Sequence, residues 1–593
     1  MERLTSRIKE FFPYEHPRPG QLELARKVYE SVVNSKILLA RYPVGFGKTA
    51  AVFAGLLAAD VPRIIYLAHT KSQFQAPIRE VVRLEKTGVK LSLVTLASRF
   101  DMCLLPRSLT SGMDFHRFLR FCARKKLSGE CPYIKKRYKG ELPSLLTLNT
   151  LRRIGREAGI CPYEIAWEAV RTARIIVASY SYLFDPRLSI ILLRKGGINL
   201  SESVIVVDEA HNLPRFITDS LSSELHASSI RAALREIQRA RFAEDSNIAE
   251  SLRKLLAYLH KTATENGSEV PVETFLEIAP NSRILARVAT SYEGKTGVFS
   301  SLWHIVYFLE EVEKMPSDSI LIALREDVSL AYKIFFYNIP RVAQRVFDDS
   351  RSAILTSATL PPADYYTAIL GVKRERLQEI SYPFTWGENV TLVIQRGISS
   401  RYVERTQELF KFYARLIDSV YKDPESRHVL AVFPSYSFML NTYPFIESTP
   451  RLLEKHDTHL DDILEFLMRH EKCLVMITAW GKFSEGVEFK AMRSNLIDTI
   501  VIAGLPVPSP SPVNKKLEER LETFSSDKEW AWRQVYLYPA LNKVLQIIGR
   551  GLRSENDRVR VYLLDERVID EKALEYLKDY GLSFSIISSL SKN

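Results

Sequence analysis

The stretch RYPVGFGKTA, residues 41–50, leads out of the apolar run SKILLARY (35–42) and into TAAVFAGLLAA (49–59). A short buried-strand pattern, a turn with two glycines and an apolar helix form the opening unit of a parallel α/β sheet. Glycine backbone at Gly45 and Gly47 lets N–H groups close around phosphate oxygens. Lys48 then reaches the β and γ phosphates, and the Thr49 hydroxyl ligates Mg²⁺. Tyr42 stands where the full GxxxxGK[ST] pattern has its first glycine, so the pattern is incomplete. The alternative is an ordinary glycine turn.

SVIVVDEAH, residues 203–211, repeats the strand-then-polar design. It puts Asp208 and Glu209 at the carboxyl end of a strand, where an open α/β sheet holds its ligand. Asp208 is positioned to hold Mg²⁺, and Glu209 to orient and deprotonate the attacking water. Read alone, the pair is a helix cap and a surface acid, and His211 is more readily structural than catalytic. RIIYLAH (63–69), HVLAVFP (428–434), CLVMITA (473–479), DTIVIAG (498–504) and VRVYLLD (559–565) are further buried strands. The strands fall in two groups, which predicts two α/β sheet domains. Between the groups, residues from about 223 to 324 carry helical patterns such as SSIRAALREIQRARFAE and predict a mostly helical insert.

The chain has 593 residues, 46% hydrophobic and 26% charged, enough apolar content for several packed domains. The first twenty residues lack an apolar core segment, and no run of about 18 apolar residues occurs, so a soluble intracellular protein with no membrane association is expected. A net charge of +12 is compatible with a polyanionic partner. Four of the five cysteines, Cys103, Cys122, Cys131 and Cys161, follow the spacing C-x18-C-x8-C-x29-C. No CxxC pair occurs, which disfavours a zinc knuckle or ribbon. Two of the four recur as CPY, and proline also follows ligand cysteines in ferredoxin runs. Zinc, an iron-sulfur cluster and uncoordinated thiols remain open on spacing alone. Cys473, in an apolar strand, reads as core.

Around these cysteines nine basic residues, Arg117, Arg120, Arg124, Lys125, Lys126, Lys135, Lys136, Arg137 and Lys139, face one acid, Glu130. Phe118, Phe121, Tyr133 and Tyr138 interleave them. Basic grooves with aromatic platforms suit single-stranded nucleic acid; the alternative is a solvated helix face over buried aromatics.

GKT, DEAH, SAT in ILTSATL (354–360) and QIIGRGLR (546–553) occur in the order of superfamily 2 helicases. FPYEHPRPGQ, ASRFDMC, GICPYEIAWEAVRTARIIVASYSYLFDP, GKFSEGVEF and LLDER resemble the XPD family of iron-sulfur DNA helicases, in its archaeal form, across nearly all of the chain outside the helical insert. The CPYEIAWEA phrase favours XPD over the related DinG type. The resemblance implies two RecA-like parallel-sheet domains with an inserted iron-sulfur domain and an inserted helical arch. The expected order is helicase domain 1 (1–95), cluster domain (96–161), domain 1 continued (162–222), arch (223–324), end of domain 1 with SAT (325–372) and domain 2 (373–593).

It also implies roles. Arg18 and Gln21 match residues beside the adenine pocket, and Ser357 to Thr359 the segment coupling hydrolysis to movement. Gln546, Arg550 and Arg553 match the motif whose arginines reach the triphosphate. The four cysteines match ligands of a 4Fe-4S cluster. Glu488 stands where the family more often has Asp. The implied activity is ATP-dependent 5′ to 3′ DNA unwinding by a monomer acting on single-stranded and forked DNA, in repair, with possible repair or transcription proteins as partners. Its place would be the cytoplasm at the nucleoid, or the nucleus of a eukaryote. A DNA-stimulated ATPase that remodels nucleoprotein complexes without processive unwinding is the alternative, as is a redox-sensing DNA-binding module.

Overall fold

The computed structural model describes residues 2–43, 45–110, 113, 115–134, 138–240, 245–326, 329–382, 389–455, 457–483, 489–491, 494–525, 527–552 and 557–588. Arg553, Glu488 and the basic residues 135–137 lie outside the described residues.

The apolar runs become the strands of two sheets. The first runs Leu377–Ser381, Ile37–Arg41, Ser352–Ser357, Ser203–Asp208, Arg63–Ala68, Ile175–Ser179, Leu93–Thr95, Leu145–Leu146, with every pairing parallel. Its central strands are buried on both faces, as parallel sheets require, while the edge strand Leu377–Ser381 is partly exposed. Ile37 and Leu39 pack with Trp167, Tyr180 and Phe184 on one side. Leu38 and Ala40, one residue out of step, pack with Leu24, Val28 and Phe53 on the other. Each such large side chain removed from water contributes about 1.5–3 kcal/mol. Register places the functional ends level: Arg41 lies opposite Ser357, and Thr356 opposite Asp208.

The second sheet runs Arg451–Leu453, Cys473–Thr478, His428–Phe433, Thr499–Ile502, Val559–Leu563, Val390–Gln395, Phe584–Ile587, again parallel. Cys473 is fully buried in its core, and burial pushes its thiol up to about 12.

Two departures mark the inserts. The expected helical insert holds the helices Ala227–Ala240, Asp245–Thr262, Val272–Ile278, Ser282–Thr296 and Leu302–Glu313, but also a four-stranded antiparallel sheet of Ser223–His226, Ser329–Phe336, Ser319–Glu326 and Ser268–Glu269. The boundary at 324 cuts one of those strands. The runs SILIALRE and SLAYKIFF pair with each other over eight positions, and that pairing carries the insert on to Phe336. Likewise Leu377–Ser381, beyond the expected boundary at 372, hydrogen-bonds to Ile37–Arg41 and completes the first sheet. The cysteine segment is built of short helices, Arg99–Met102, Phe115–Leu127 and Leu148–Ala158, and Leu145–Leu146 stitches it to the sheet edge. Among the described residues no helix is long and apolar enough to cross a membrane.

Candidate active site

The helix Lys48–Ala58 begins at Gly47, whose φ of 85° needs glycine. A Cβ there would also stand 2.5 Å from the Gln21 amide nitrogen. Gln21 is buried and donates to the Phe46 carbonyl at 2.7 Å, while its Oε1 accepts from the Arg18 N–H at 2.8 Å. The Arg18 guanidinium donates to the Gly45 carbonyl at 2.7 Å. The two residues expected at the adenine pocket thus brace the phosphate loop from behind. Lys48 donates to the Tyr42 carbonyl at 3.3 Å and lies 3.9 Å from Glu209.

Asp208 ends its strand and Glu209 turns into the left-handed region at φ 52°, a conformation that costs a non-glycine residue about 1–2 kcal/mol. Two contacts hold it there. The Glu209 N–H donates to Asp208 Oδ1 at 3.1 Å, and the Tyr180 hydroxyl donates to the Glu209 carbonyl at 2.9 Å and also to the Asp208 carbonyl. The neighbouring SAT strand supplies the rest. Thr356 Oγ1 donates to Asp208 Oδ1 at 3.2 Å, Ser357 Oγ donates to Glu209 Oε2 at 2.8 Å, and His211 Nδ1 lies 2.7 Å from Ser357 Oγ. Burial pushes the Asp208 carboxyl up, as does the Glu209 charge beside it; Lys48 opposes both. The Tyr66 hydroxyl hydrogen-bonds both the Thr49 hydroxyl and the Asp208 carboxylate, and burial, then Asp208, lift its pKa well above the usual range. Two hard oxygen donors therefore converge on one point, the donor chemistry Mg²⁺ takes.

Tyr66, Tyr180 and His211 escaped sequence reasoning as site residues. Tyr66 sits inside an apolar strand and Tyr180 just after one, so only the fold shows that the Tyr66 hydroxyl ends at the Asp208 carboxylate and the Tyr180 hydroxyl at the Asp208 and Glu209 carbonyls.

From the second sheet domain come Gln546, on the helix Tyr538–Ile548, and Arg550, which is nearly buried. Gln546 Oε1 is buried without a hydrogen-bond partner. It lines a cavity of about 900 Å³ that His211 also borders, along with Arg401, Arg405, Trp480 and Lys543. None of residues 41–49 lines this cavity. It is a space separate from the phosphate loop, with a mostly apolar wall that carries several basic side chains.

Cys103, Cys122, Cys131 and Cys161 all line one small pocket. Cys131 N–H donates to the Lys125 carbonyl at 2.9 Å, and Cys161 N–H to the Tyr133 carbonyl at 2.7 Å, so each turn is pinned by backbone. No Asp, Glu or His lines the pocket. Four soft sulfur donors without a hard one fit a thiophilic iron-sulfur or zinc centre. Among the described residues no compact set of three ligands for a single ion forms. Burial pushes the Cys103 and Cys161 thiols up, so a bound metal must displace their protons.

The basic segment divides in an unexpected way. Arg120 lies 3.6 Å from the centre of the Trp303 ring, donates to the Tyr307 hydroxyl at 3.0 Å and pairs with Glu293 at 3.6 Å. Arg117 stacks on Phe299. These two arginines dock the cysteine segment onto the helical insert. Lys125 pairs with Glu130, and Lys126 with Glu164 at 2.9 Å, which Lys195 also holds at 2.7 Å. Burial opposes ionisation of Glu164, but the Lys195 and Lys126 hydrogen bonds outweigh it and hold its pKa below the usual range. Arg124 and Lys139 remain exposed.

The DEAD_2 family model matches residues 66–230, and the Helicase C-terminal domain model matches residues 419–580. The chain is 26% identical over 567 residues to the ATP-dependent DNA helicase XPD of Sulfolobus acidocaldarius, covering 93% of this chain and 96% of that one. It is 23% identical to the general transcription and DNA repair factor IIH helicase subunit XPD of Arabidopsis thaliana, covering 97% and 92%. A solved XPD helicase superposes with a TM-score of 0.76 at 24% identity, over 97% of this chain and 100% of that one, and so shares its fold. The first matched domain contains the DEAH strand and the second the Gln546 helix, and the chain is an ATP-dependent DNA helicase similar over nearly its whole length to XPD helicases.

Proposed function

We propose that this ATP-dependent DNA helicase moves 5′ to 3′ along one DNA strand and separates the duplex at a gate made by the cysteine segment and the helical insert. The observation that carries the reading is the level register of three neighbouring strand ends, which brings Glu209 within ion-pair reach of Lys48 and hydrogen-bonding reach of Ser357, directly beside Asp208. Lys48 and the loop N–H groups would grip the triphosphate, and Arg18 and Gln21 the adenine side. Glu209, oriented by Ser357, would take the proton of the attacking water. Arg550 and Arg553 would approach from the second sheet domain and stabilise charge on the transferred phosphoryl group, an effect worth about 10³ to 10⁵ in rate where it has been dissected. Thr49 and Asp208 would hold Mg²⁺, which neutralises charge across the phosphates.

The cavity bordered by Arg401, Arg405 and Lys543 offers a basic path for the strand between the sheet domains and the insert. Cys103, Cys122, Cys131 and Cys161 would hold a 4Fe-4S cluster, which supplies a cross-link between the segments that carry them. Arg117 and Arg120 then transmit that rigidity to the insert. Opening DNA costs about 1.4 kcal/mol per base-pair step, and a wedge that yields would not sustain it. The protein acts as a monomer in repair on single-stranded and forked DNA.

The test is strand displacement by anaerobically purified, iron-loaded protein on duplexes with a 5′ or a 3′ tail. Displacement of the 5′-tailed substrate alone, dependent on ATP and Mg²⁺, is expected. Displacement of only the 3′-tailed substrate overturns the polarity, and ATP hydrolysis with no displacement of either makes the chain a remodelling ATPase.

A further inference from the structure

Three adjacent strands of the first sheet each send one contact toward the second sheet domain, and the contacts lie side by side. From Leu377–Ser381 the chain itself crosses: Tyr382 is the last described residue before the second domain begins at Asn389, and its N–H donates to the Arg41 carbonyl at 3.0 Å. At the end of the next strand, Ile37–Arg41, the Arg41 guanidinium lies 4.6 Å from the centre of the Tyr580 ring. Beyond the third, Ser352–Ser357, the backbone of Leu360 is gripped by two tyrosines of the second domain. The Tyr580 hydroxyl accepts from the Leu360 N–H at 2.8 Å, and the Leu360 carbonyl lies 3.0 Å from the Tyr580 hydroxyl and 3.2 Å from that of Tyr576. Both phenols are buried and 3.4 Å apart. They belong to the core of the second sheet through the helix Glu571–Lys578 and the residues that follow it.

We propose that Arg41, Leu360, Tyr576 and Tyr580 form the hinge on which the two sheet domains turn during the ATP cycle, and that Tyr580 is a positioning residue for hydrolysis. The contacts at Arg41 and Leu360 lie at the ends of neighbouring strands, and beside them the second domain sets Leu521, Ala531, Val535 and Tyr536 into the first-domain core; a rotation that keeps these contacts turns about the junction they make. The junction runs beside the phosphate loop, because Arg41 directly precedes Tyr42 and Leu360 directly follows Ser357–Thr359. A small rotation there swings Gln546 and Arg550 toward or away from Lys48 while the hinge contacts persist. Buried polar contacts suit this role: an unmade hydrogen bond in a dry site is costly, so the contact holds while the rest of the cleft opens. The hydroxyl of Tyr366, fully buried in the adjoining first-domain core, has no hydrogen-bond partner. That core also contains Tyr180, which carries the DEAH turn.

The inference rests on the ATP site proposed above, and its test separates the two readings. Hydrogen exchange at the Leu360 amide is measured on iron-loaded wild-type protein with an oligo-dT strand, without nucleotide and with ADP-beryllium fluoride. Equal protection in both states is expected of a hinge; protection lost on adding the analogue shows a latch that opens, and overturns the proposal. This reading is independent of ATP chemistry, which Lys48→Ala tests separately. In Tyr580→Phe, which keeps the ring over Arg41, the Leu360 amide loses protection. The kcat of DNA-stimulated hydrolysis falls about fivefold, the equivalent of one net hydrogen bond, with KM for ATP unchanged and more ATP spent per base pair opened. Tyr580→Leu removes the cation–π contact as well and lowers kcat further. A Tyr580→Phe protein with normal kcat and normal ATP consumption per base pair, whatever its melting temperature, overturns the proposal.

Discussion

The phosphate-loop cleft and the cysteine pocket solve the same problem, gathering side chains from distant parts of the chain, by opposite means. In the cleft, Asp208 and Ser357 end two neighbouring parallel strands and Lys48 opens the helix that follows a third, so the register of the sheet sets where all three stand. In the pocket, the four cysteines come from short helices and turns, with backbone hydrogen bonds at Cys131 and Cys161 but no shared sheet to align them. The cleft is preorganised by its scaffold; the pocket depends on what its thiols hold. Damage to the cleft should therefore stop chemistry while the fold survives, and damage to the pocket should loosen the insert while chemistry survives.

The comparison breaks most visibly at Glu209. Glu209→Gln keeps the contacts to Ser357 but cannot take a proton, and should lower ATP turnover by about 10² to 10⁴. ATP binding, followed by a fluorescent nucleotide, should stay near normal. Normal turnover in this variant would falsify the assignment of the base. A smaller loss is expected at Lys126, whose ammonium ties the cysteine segment to Glu164 at the start of the helix Pro162–Val170. Lys126→Met leaves Glu164 with Lys195 alone; iron should leave the protein faster under chelator while ATPase is retained, and an unchanged iron half-life would remove Lys126 from the brace.

Arg120 sharpens the same division. A double-mutant cycle between Arg120→Ala and Trp303→Ala should show a coupling of about 1 kcal/mol in docking of the insert, read as exchange protection across residues 299–307; a coupling near zero makes the contact incidental. Arg124, exposed on the same helix, should show the least. Arg124→Ala should leave iron and ATPase intact and reduce the salt slope of single-strand binding by about 0.7. An unchanged slope means the strand does not pass over that face.

The legibility of the two regions differs for the same physical reason. GKTA and DEAH are local patterns on strands whose apolar periodicity is plain, and each chemical group lies within a few residues of the feature that places it. Tyr66 and Tyr180 were not legible, because a tyrosine in or beside a buried strand reads as core until the sheet shows where its hydroxyl ends. The cysteine spacing alone left zinc, an iron-sulfur cluster and uncoordinated thiols open, and the run of nine basic residues suggested one footprint where the structure divides its described part. Arg117 and Arg120 face the aromatics of the insert, Lys125 and Lys126 face acids, and no local pattern encodes a partner that lies some 180 residues away in Trp303. The strands of the insert, Ser319–Glu326 and Ser329–Phe336, were masked by the helices before them, and the first-sheet strand Leu377–Ser381 carries too short and polar a run, LQEIS, to declare its partner.

The most direct test of the division between engine and gate is to measure both activities in one preparation of Cys131→Ser. The variant should lose its iron and its visible absorbance, retain most of its single-strand-stimulated ATPase, and fail to displace the strand of a 5′-tailed duplex. Strand displacement at the wild-type rate without iron, or loss of ATPase in step with displacement, would contradict the account.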